Sequence, residues 1–159
     1  MLRFNSDHKF KIMQIADTQE IPAVSPDTLS LINNALDREK PDLVIFTGDQ
    51  IKGYSKKFKK DPAIIEGTID TLVEPIAKRN IPFMVTYGNH DAQCGVDNRG
   101  QYKFYAKYDN FISGDLRNAD DVGTADIQIY SSTEDKPVFE LYIIDSHGKA
   151  KDGAGYAPV

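Results

Sequence analysis

The sequence predicts an α/β domain in which parallel βαβ units come first and a β-hairpin comes last. Three short runs rich in β-branched and aromatic residues, at 10–15, 42–46 and 82–85, are separated by stretches with apolar residues at helical spacing. The pattern then changes. Ile127 and Ile129 alternate with Asp126, Gln128 and Tyr130, the turn-forming Glu134-Asp135-Lys136 follows, and a further β run occupies 138–144. Parallel units early and a hairpin late describe α/β with a mixed sheet.

Each element has a local cause. The first strand spans residues 9–16 and a loop covers 17–24. Ser25-Pro26-Asp27 starts a helix, because the Ser25 hydroxyl can cap free N–H groups and Pro26 suits the first helical position. Leu29, Ile32 and Leu36 form its buried stripe, and it stops near Lys40, since Pro41 disfavours helical backbone in the residue before it. The second strand is 42–47. The loop at 50–60, with Lys56-Lys57 and Lys59-Lys60, reads as a solvated segment. Asp61-Pro62 repeats the cap-plus-proline signature. Ile65, Ile69, Leu72, Val73 and Ile76 mark the inner face of a second helix, and Asn80 is its left-handed stop. The third strand is 81–86. Residues 93–118 read as loop plus a short helix near 101–108, with Tyr102, Tyr105 and Tyr108 packing on the core. The hairpin strands are 125–131 and 138–144.

Composition narrows the function. The chain has 159 residues, 40% hydrophobic and 27% charged, which suits one soluble globular domain with a real core. A net charge of -5 excludes a protein whose main task is gripping nucleic acid. Cys94 is the only cysteine, so no intrachain disulfide forms, and it reads as a small buried thiol rather than a nucleophile. No apolar run approaches the roughly 20 residues of a membrane span. The polar residues 1–8 lack the apolar core of a signal peptide, so a cytoplasmic location is the default expectation.

The chemistry lies at the strand ends. Each of the three parallel runs ends in a polar, ligand-type residue: Asp17, Asp49 and Asn89. Oxygen ligands gathered at the carboxyl ends of parallel strands point to a hard or borderline metal ion. Asp49 can bridge two divalent ions, with Asp17 adding an anionic ligand to one and the Asn89 carbonyl a neutral ligand to the other. Two such ions clamp a phosphate and acidify a bridging water. His90 would sit beside the metals and protonate the departing oxygen, and Asp91 would orient its ring. Gly48 and Gly88 suit places where backbone turns sharply near a ligand.

The sequences Asp17-Thr18-Gln19, Gly48-Asp49 and Gly88-Asn89-His90-Asp91 resemble the D-x-H, G-D and G-N-H-[DE] blocks of the calcineurin-like metallophosphoesterase superfamily. The likeness is closest to its small purple-acid-phosphatase-like group, which includes a yeast-type cell-cycle regulatory phosphatase. It covers about residues 9–91, and Leu141-Tyr142-Ile143-Ile144-Asp145-Ser146 is similar to a later strand of that family. The resemblance implies a metallophosphoesterase-type αββα sandwich, here mostly its first βαβαβ half plus a hairpin. It implies hydrolysis of phosphomonoesters or phosphodiesters by a water activated by two divalent ions, manganese, iron, zinc or cobalt. Asp17, Gln19, Asp49 and Asn89 would hold metal, with His90 and Asp91 in the catalytic positions.

This chain departs from that pattern. Gln19 stands where the family has a histidine, so it is either a weak ligand or a bystander. Lys52 occupies the G-D-x-x-Y tyrosine position and Tyr54 lies two residues too far on, so a purple, tyrosinate-bound iron is not expected. The downstream G-H-x-H block is absent, and His8, His90 and His147 are the only histidines. The chain therefore reads either as the amino-terminal part of a longer enzyme, inactive alone, or as a naturally short relative. The competing function is a silent metal- or phosphate-binding domain that acts through a partner. Glu20 reads as an exposed loop carboxylate, and His147 as a surface residue or one near the site. An incomplete sandwich predicts self-association through bare strand edges and apolar faces.

Overall fold

The computed structural model describes residues 1–113, 122–148 and Gly155. The end of the loop read over 93–118 and residues 156–159 lie outside that set. The strands are β1 (Leu2–Arg3), β2 (Ile12–Ile15), β3 (Leu43–Thr47), β4 (Phe83–Thr86), β5 (Ala125–Tyr130) and β6 (Pro137–Ile143). The helices are α1 (Pro26–Glu39), α2 (Pro62–Ala77) and α3 (Asn98–Ala106).

The helices begin where the local chemistry puts them. The Ser25 hydroxyl accepts from the Asp27 N–H at 3.2 Å and the Asp61 carboxylate from the Ala63 N–H at 2.9 Å, each just ahead of a proline. After α1, Lys40 turns left-handed at φ 46°, and beyond α2 Asn80 does so at φ 52°. α3 starts about three residues earlier than the sequence suggested, because the Asp97 carboxylate caps it by accepting from the Gly100 N–H at 2.7 Å. Tyr105 is buried on α3. Tyr108 lies just past the helix and donates to Asp70 Oδ1 at 2.8 Å.

β2, β3 and β4 form a parallel sheet in that order, with α1 and α2 as the crossovers. β3 and β4 are buried on both faces, and their alternation divides the core in two. Val44, Phe46, Phe83 and Val85 pack against Ile32 and Leu36 of α1, Ile65, Ile69 and Leu72 of α2, and Tyr105 of α3. Leu43, Ile45 and Met84, on the opposite face, pack against Leu2, Ala125, Ile127, Ile129 and Ile143 of a second sheet. That sheet has the order β1-β5-β6, with β1 parallel and β6 antiparallel to β5. A helix layer and two stacked sheets make three layers of the expected αββα sandwich. The outer face of the second sheet carries Val138, Tyr142 and Ile144, each more than half exposed. No helix among the described residues is long and apolar enough to cross a membrane.

One strand was not foreseen and one expectation needs correction. The mixed pairing lies in the second sheet of the sandwich, where the hairpin joins β1. β1 was not foreseen: it is two residues long, and its register Leu2↔Ile129 depends on a partner far along the chain. The loop at 50–60 is not simply solvated. Its lysines reach water, but Ile51 and Phe58 are fully buried and pin it to the helix-side core.

Leu72 and Leu31 separate packing from composition. Leu72→Ala removes a fully buried side chain and should lower the unfolding free energy by roughly 2–5 kcal/mol in urea denaturation. Leu31→Ala, on the exposed face of α1, should change it by no more than about 0.5 kcal/mol.

Candidate metal and phosphate site

The loops after β2 and β3 continue side by side beyond the sheet. The Asp17 N–H donates to the Gly48 carbonyl at 3.0 Å, the Gln19 N–H to the Asp49 carbonyl at 2.9 Å and the Glu20 N–H to the Gln50 carbonyl at 3.1 Å. Asp17, Gln19 and Asp49 all hold left-handed backbone, with φ of 53°, 43° and 53°. Asp and Asn tolerate that region better than most residues, and strained backbone is concentrated at functional sites.

The loop after β4 crosses the end of β3 at two glycines. A Cβ on Gly48, at φ 109°, would lie 2.6 Å from the Gly88 nitrogen, and one on Gly88 would collide with Asp49 Oδ1. The glycines permit this crossing, and the Asp91 carboxylate holds it together. Asp91 Oδ2 accepts from the N–H groups of Asp49 and Gly88, both at 2.8 Å, and Oδ1 accepts from the Ile51 N–H at 3.2 Å. Burial pushes the Asp91 carboxyl up to about 6, with the Asp49 charge adding to the rise, while the donors from Gly88, Ile51 and Asp49 pull the other way. From α3, the Gln101 amide donates to the Asp91 carbonyl at 2.8 Å and to the Val96 carbonyl at 2.9 Å.

Asp49 is buried, with Oδ1 accepting from the His90 N–H at 2.9 Å and Oδ2 lying 4.0 Å from His90 Nε2. His90 Nδ1 is 3.1 Å from Gln93 Oε1. A carbonyl oxygen only accepts, so Nδ1 carries the hydrogen in this pair and Nε2 is the nitrogen free to exchange a proton beside Asp49. The Tyr54 ring meets the imidazole edge-on, 4.8 Å between centroids. Asp17 is exposed at the rim, and Gln19 and Asn89 are half-buried.

The structure thus gathers the backbone of Asp17, Gln19, Asp49, Asn89 and His90 at one end of the parallel sheet. It assigns Asp91 differently: its carboxylate clamps three backbone N–H groups across two loops, and the His90 ring is positioned by Gln93 and Tyr54. Glu20 is likewise not an exposed loop carboxylate. It is buried and accepts from the Ser25 N–H at 3.0 Å and from the Thr28 hydroxyl at 2.5 Å, bracing the start of α1. Cys94 is buried, its thiol is pushed up by that burial, and it donates to the Val96 carbonyl at 3.5 Å, as an idle thiol would. His147 is exposed beyond β6. Gln93 and Tyr54 as ring partners were missed. Gln93 stands three residues after His90, within reach across a single turn, and that spacing was the available signal. Among the described residues, no three His, Cys, Asp or Glu side chains come together as a metal-holding group.

The family profile described as calcineurin-like phosphoesterase matches residues 10–154. The chain belongs to the calcineurin-like phosphoesterase family. It is 28% identical to probable inactive purple acid phosphatase 14 of Arabidopsis thaliana, over 98% of this chain and 44% of that protein. It is 31% identical to Phosphatase DCR2 of Saccharomyces cerevisiae, over 98% of this chain and 30% of that one. An uncharacterized metallophosphoesterase of Aquifex aeolicus is 28% identical over 56% of this chain and 31% of its own. The chain spans less than half the length of these family members. Both the purple-acid-phosphatase-like group and the yeast phosphatase expected from the motifs are among them.

Asp91→Asn tests the clamp. The substitution turns an amide NH2 toward backbone N–H donors and should lower the unfolding free energy by roughly 2–4 kcal/mol. Hydrogen exchange at the amides of Asp49, Ile51 and Gly88 should accelerate before the sheet amides do, which separates loss of the clamp from general destabilisation.

Proposed function

We propose that this chain carries the metal-holding half of a divalent-metal-dependent phosphoesterase acting on phosphomonoesters or phosphodiesters. The supporting observation is the environment of Asp49: a buried carboxylate at a β-strand end, one oxygen on the His90 N–H and the other facing His90 Nε2. The donors on the three loops are two carboxylates and two amide carbonyls, Asp17, Asp49, Gln19 and Asn89. That set fits a hard, oxygen-loving divalent ion. Among the candidate metals it favours manganese, since none of the four is an imidazole. Asp17, Asp49 and Gln19 would hold the first of two such ions, and Asn89 with Asp49 the second. When bound, the ions supply charge neutralisation for a phosphoryl group and acidification of a water.

The remaining work falls to residues of this chain. Gln93 holds the hydrogen on His90 Nδ1, so the proton for the departing oxygen of the ester would leave Nε2 of the imidazolium and return the ring to its neutral Nδ1–H form. Asp91 keeps the Gly88-Asn89-His90 turn against Asp49, so His90 acts at a fixed place without holding metal itself. Gln19 in place of an imidazole weakens the first ion position.

Manganese titration and hydrolysis test this directly. Residues 1–159 should bind manganese weakly, with a dissociation constant on the order of 10⁻⁴–10⁻³ M, the range of weak oxygen-ligand sites. Asp49→Ala should abolish that binding. Aryl phosphate turnover by the same chain should stay at the buffer rate. Robust turnover that disappears in Asp49→Ala would show the chain to be a self-sufficient enzyme. Strong metal binding without turnover in every longer form of the protein would favour the silent binding domain.

We further propose that residues 1–159 self-associate through β6. Among the described residues it is a sheet edge, flanked by the exposed Val138, Tyr142 and Ile144, and antiparallel pairing of such an edge with its own copy is self-complementary. Sedimentation velocity should show a concentration-dependent rise above the monomer, reduced by a Val138→Lys and Tyr142→Lys double variant. A compact monomer at high concentration would refute it.

A further inference from the structure

The loop between β3 and α2 concentrates charge of one sign beside His90. Lys52, Lys56, Lys57, Lys59 and Lys60 fall within nine residues of a chain whose net charge is -5. None of the five forms an ion pair among the described residues, although the chain has 24 carboxylates to offer. Uncompensated cations confined to one loop produce a local positive field.

The loop is built, not loose. Phe58 is fully buried in the core, the Ser55 hydroxyl accepts from the Lys57 N–H at 3.3 Å, and Asp61 caps α2 directly after it. Lys59 and Lys60 both hold φ of 54°. Glycine or asparagine suits left-handed backbone far better than lysine, so the backbone does not explain two lysines in succession there. The stem of Lys60 lies against Gly95, where an added Cβ would stand 3.0 Å from its Cγ.

The loop also touches the candidate site. A Cβ on Gly53 would collide with the His90 carbonyl, so the two backbones are in contact. Tyr54 stands against the His90 ring, and the Lys52 ammonium lies 5.3 Å from the centroid of the Tyr54 ring. A cavity of about 270 Å³ is lined by Tyr54, Lys56, Lys59, Lys60 and Gln93 among others. Tyr54 and Gln93, which flank the His90 imidazole, therefore also form the wall of a lysine-lined pocket.

We propose that this pocket is a subsite for a second phosphoryl group of the substrate, so that small bisphosphorylated esters are preferred over monophosphates. The inference rests on the phosphoesterase reading for the first phosphoryl group, which lies at Asp49 and His90. The second would lie in a pocket whose lining includes Tyr54 but neither Asp49 nor His90. The two phosphates must therefore stand apart on the substrate framework and cannot be adjacent as in pyrophosphate.

Calorimetry on residues 1–159 in saturating manganese with fructose 1,6-bisphosphate, fructose 6-phosphate and inorganic pyrophosphate tests it. The bisphosphate should bind roughly tenfold or more tightly than the monophosphate, and pyrophosphate should resemble the monophosphate. The combined substitutions Lys56→Gln, Lys59→Gln and Lys60→Gln should remove the bisphosphate advantage and leave monophosphate binding unchanged, with an unaltered circular dichroism spectrum. Equal affinities in the unsubstituted chain, an advantage that survives the triple variant, or equal losses for all three ligands would each overturn the subsite. If the triple variant does not fold, the single Lys56→Gln variant should still lower bisphosphate affinity selectively, and no selective change would overturn the proposal. Asp49→Ala distinguishes the two readings. Loss of manganese binding with lysine-dependent binding of the bisphosphate retained supports the subsite independently of catalysis, whereas manganese-dependent hydrolysis with no lysine dependence refutes the subsite and leaves the phosphoesterase reading standing.

Discussion

The Asp91 carboxylate is the interaction on which the rest of the site depends. Three backbone N–H groups from two loops converge on its two oxygens, in a place where an ionised carboxylate is costly unless it is well paired. The loops come this close because residues 48 and 88 have no side chains to keep them apart. Gln101 then ties the carbonyl of Asp91 to α3. The position of Asp49 relative to His90 is set by these backbone contacts. In this site Asp49 and His90 are placed by a third residue that holds the backbone around them.

Much of this was legible in the sequence, because its causes are local. Ser25-Pro26 and Asp61-Pro62 placed both crossover helices, since capping and proline geometry act within a few residues. The double-sided burial of β3 and β4 showed as continuous apolar runs, as expected where helices cover one face and another sheet the other. β1 was illegible because two residues carry no periodicity and their partner is contributed by the hairpin. The division into two sheets was expected from the family resemblance and not from the local pattern. Strand pairing is a long-range choice, and alternation in 125–131 says that one face is buried without saying against what.

The strand-end positions of the candidate site were legible, and the residues that support them less so. Asp17, Asp49, Asn89 and His90 stand out because each follows a strand within a recognisable block. Asp91 lies in the same block, yet its role could not be told from its neighbour's: a second carboxylate beside a histidine serves equally to aim the ring or to gather backbone. Glu20 was misread because a carboxylate in a polar loop has no sequence mark of burial, and its partners at Ser25 and Thr28 become visible only once the loop folds back onto α1. The lysine run was read as solvated from its charge alone, and Phe58 in its midst was the residue that contradicted that reading.

The order of the strands bears on how the chain is made. β2, β3 and β4 follow one another in sequence and in the sheet, so their contacts close over short loops and can form early as the chain leaves the ribosome. The second sheet cannot begin until β5 has emerged, because β1 has no other partner in it. In that interval Leu43, Ile45 and Met84 stand uncovered on the finished parallel sheet. Synthesis thus passes through a stage with a bare apolar surface. Substitutions that delay the hairpin would lengthen that stage and act on yield and aggregation, even where the folded protein is scarcely altered.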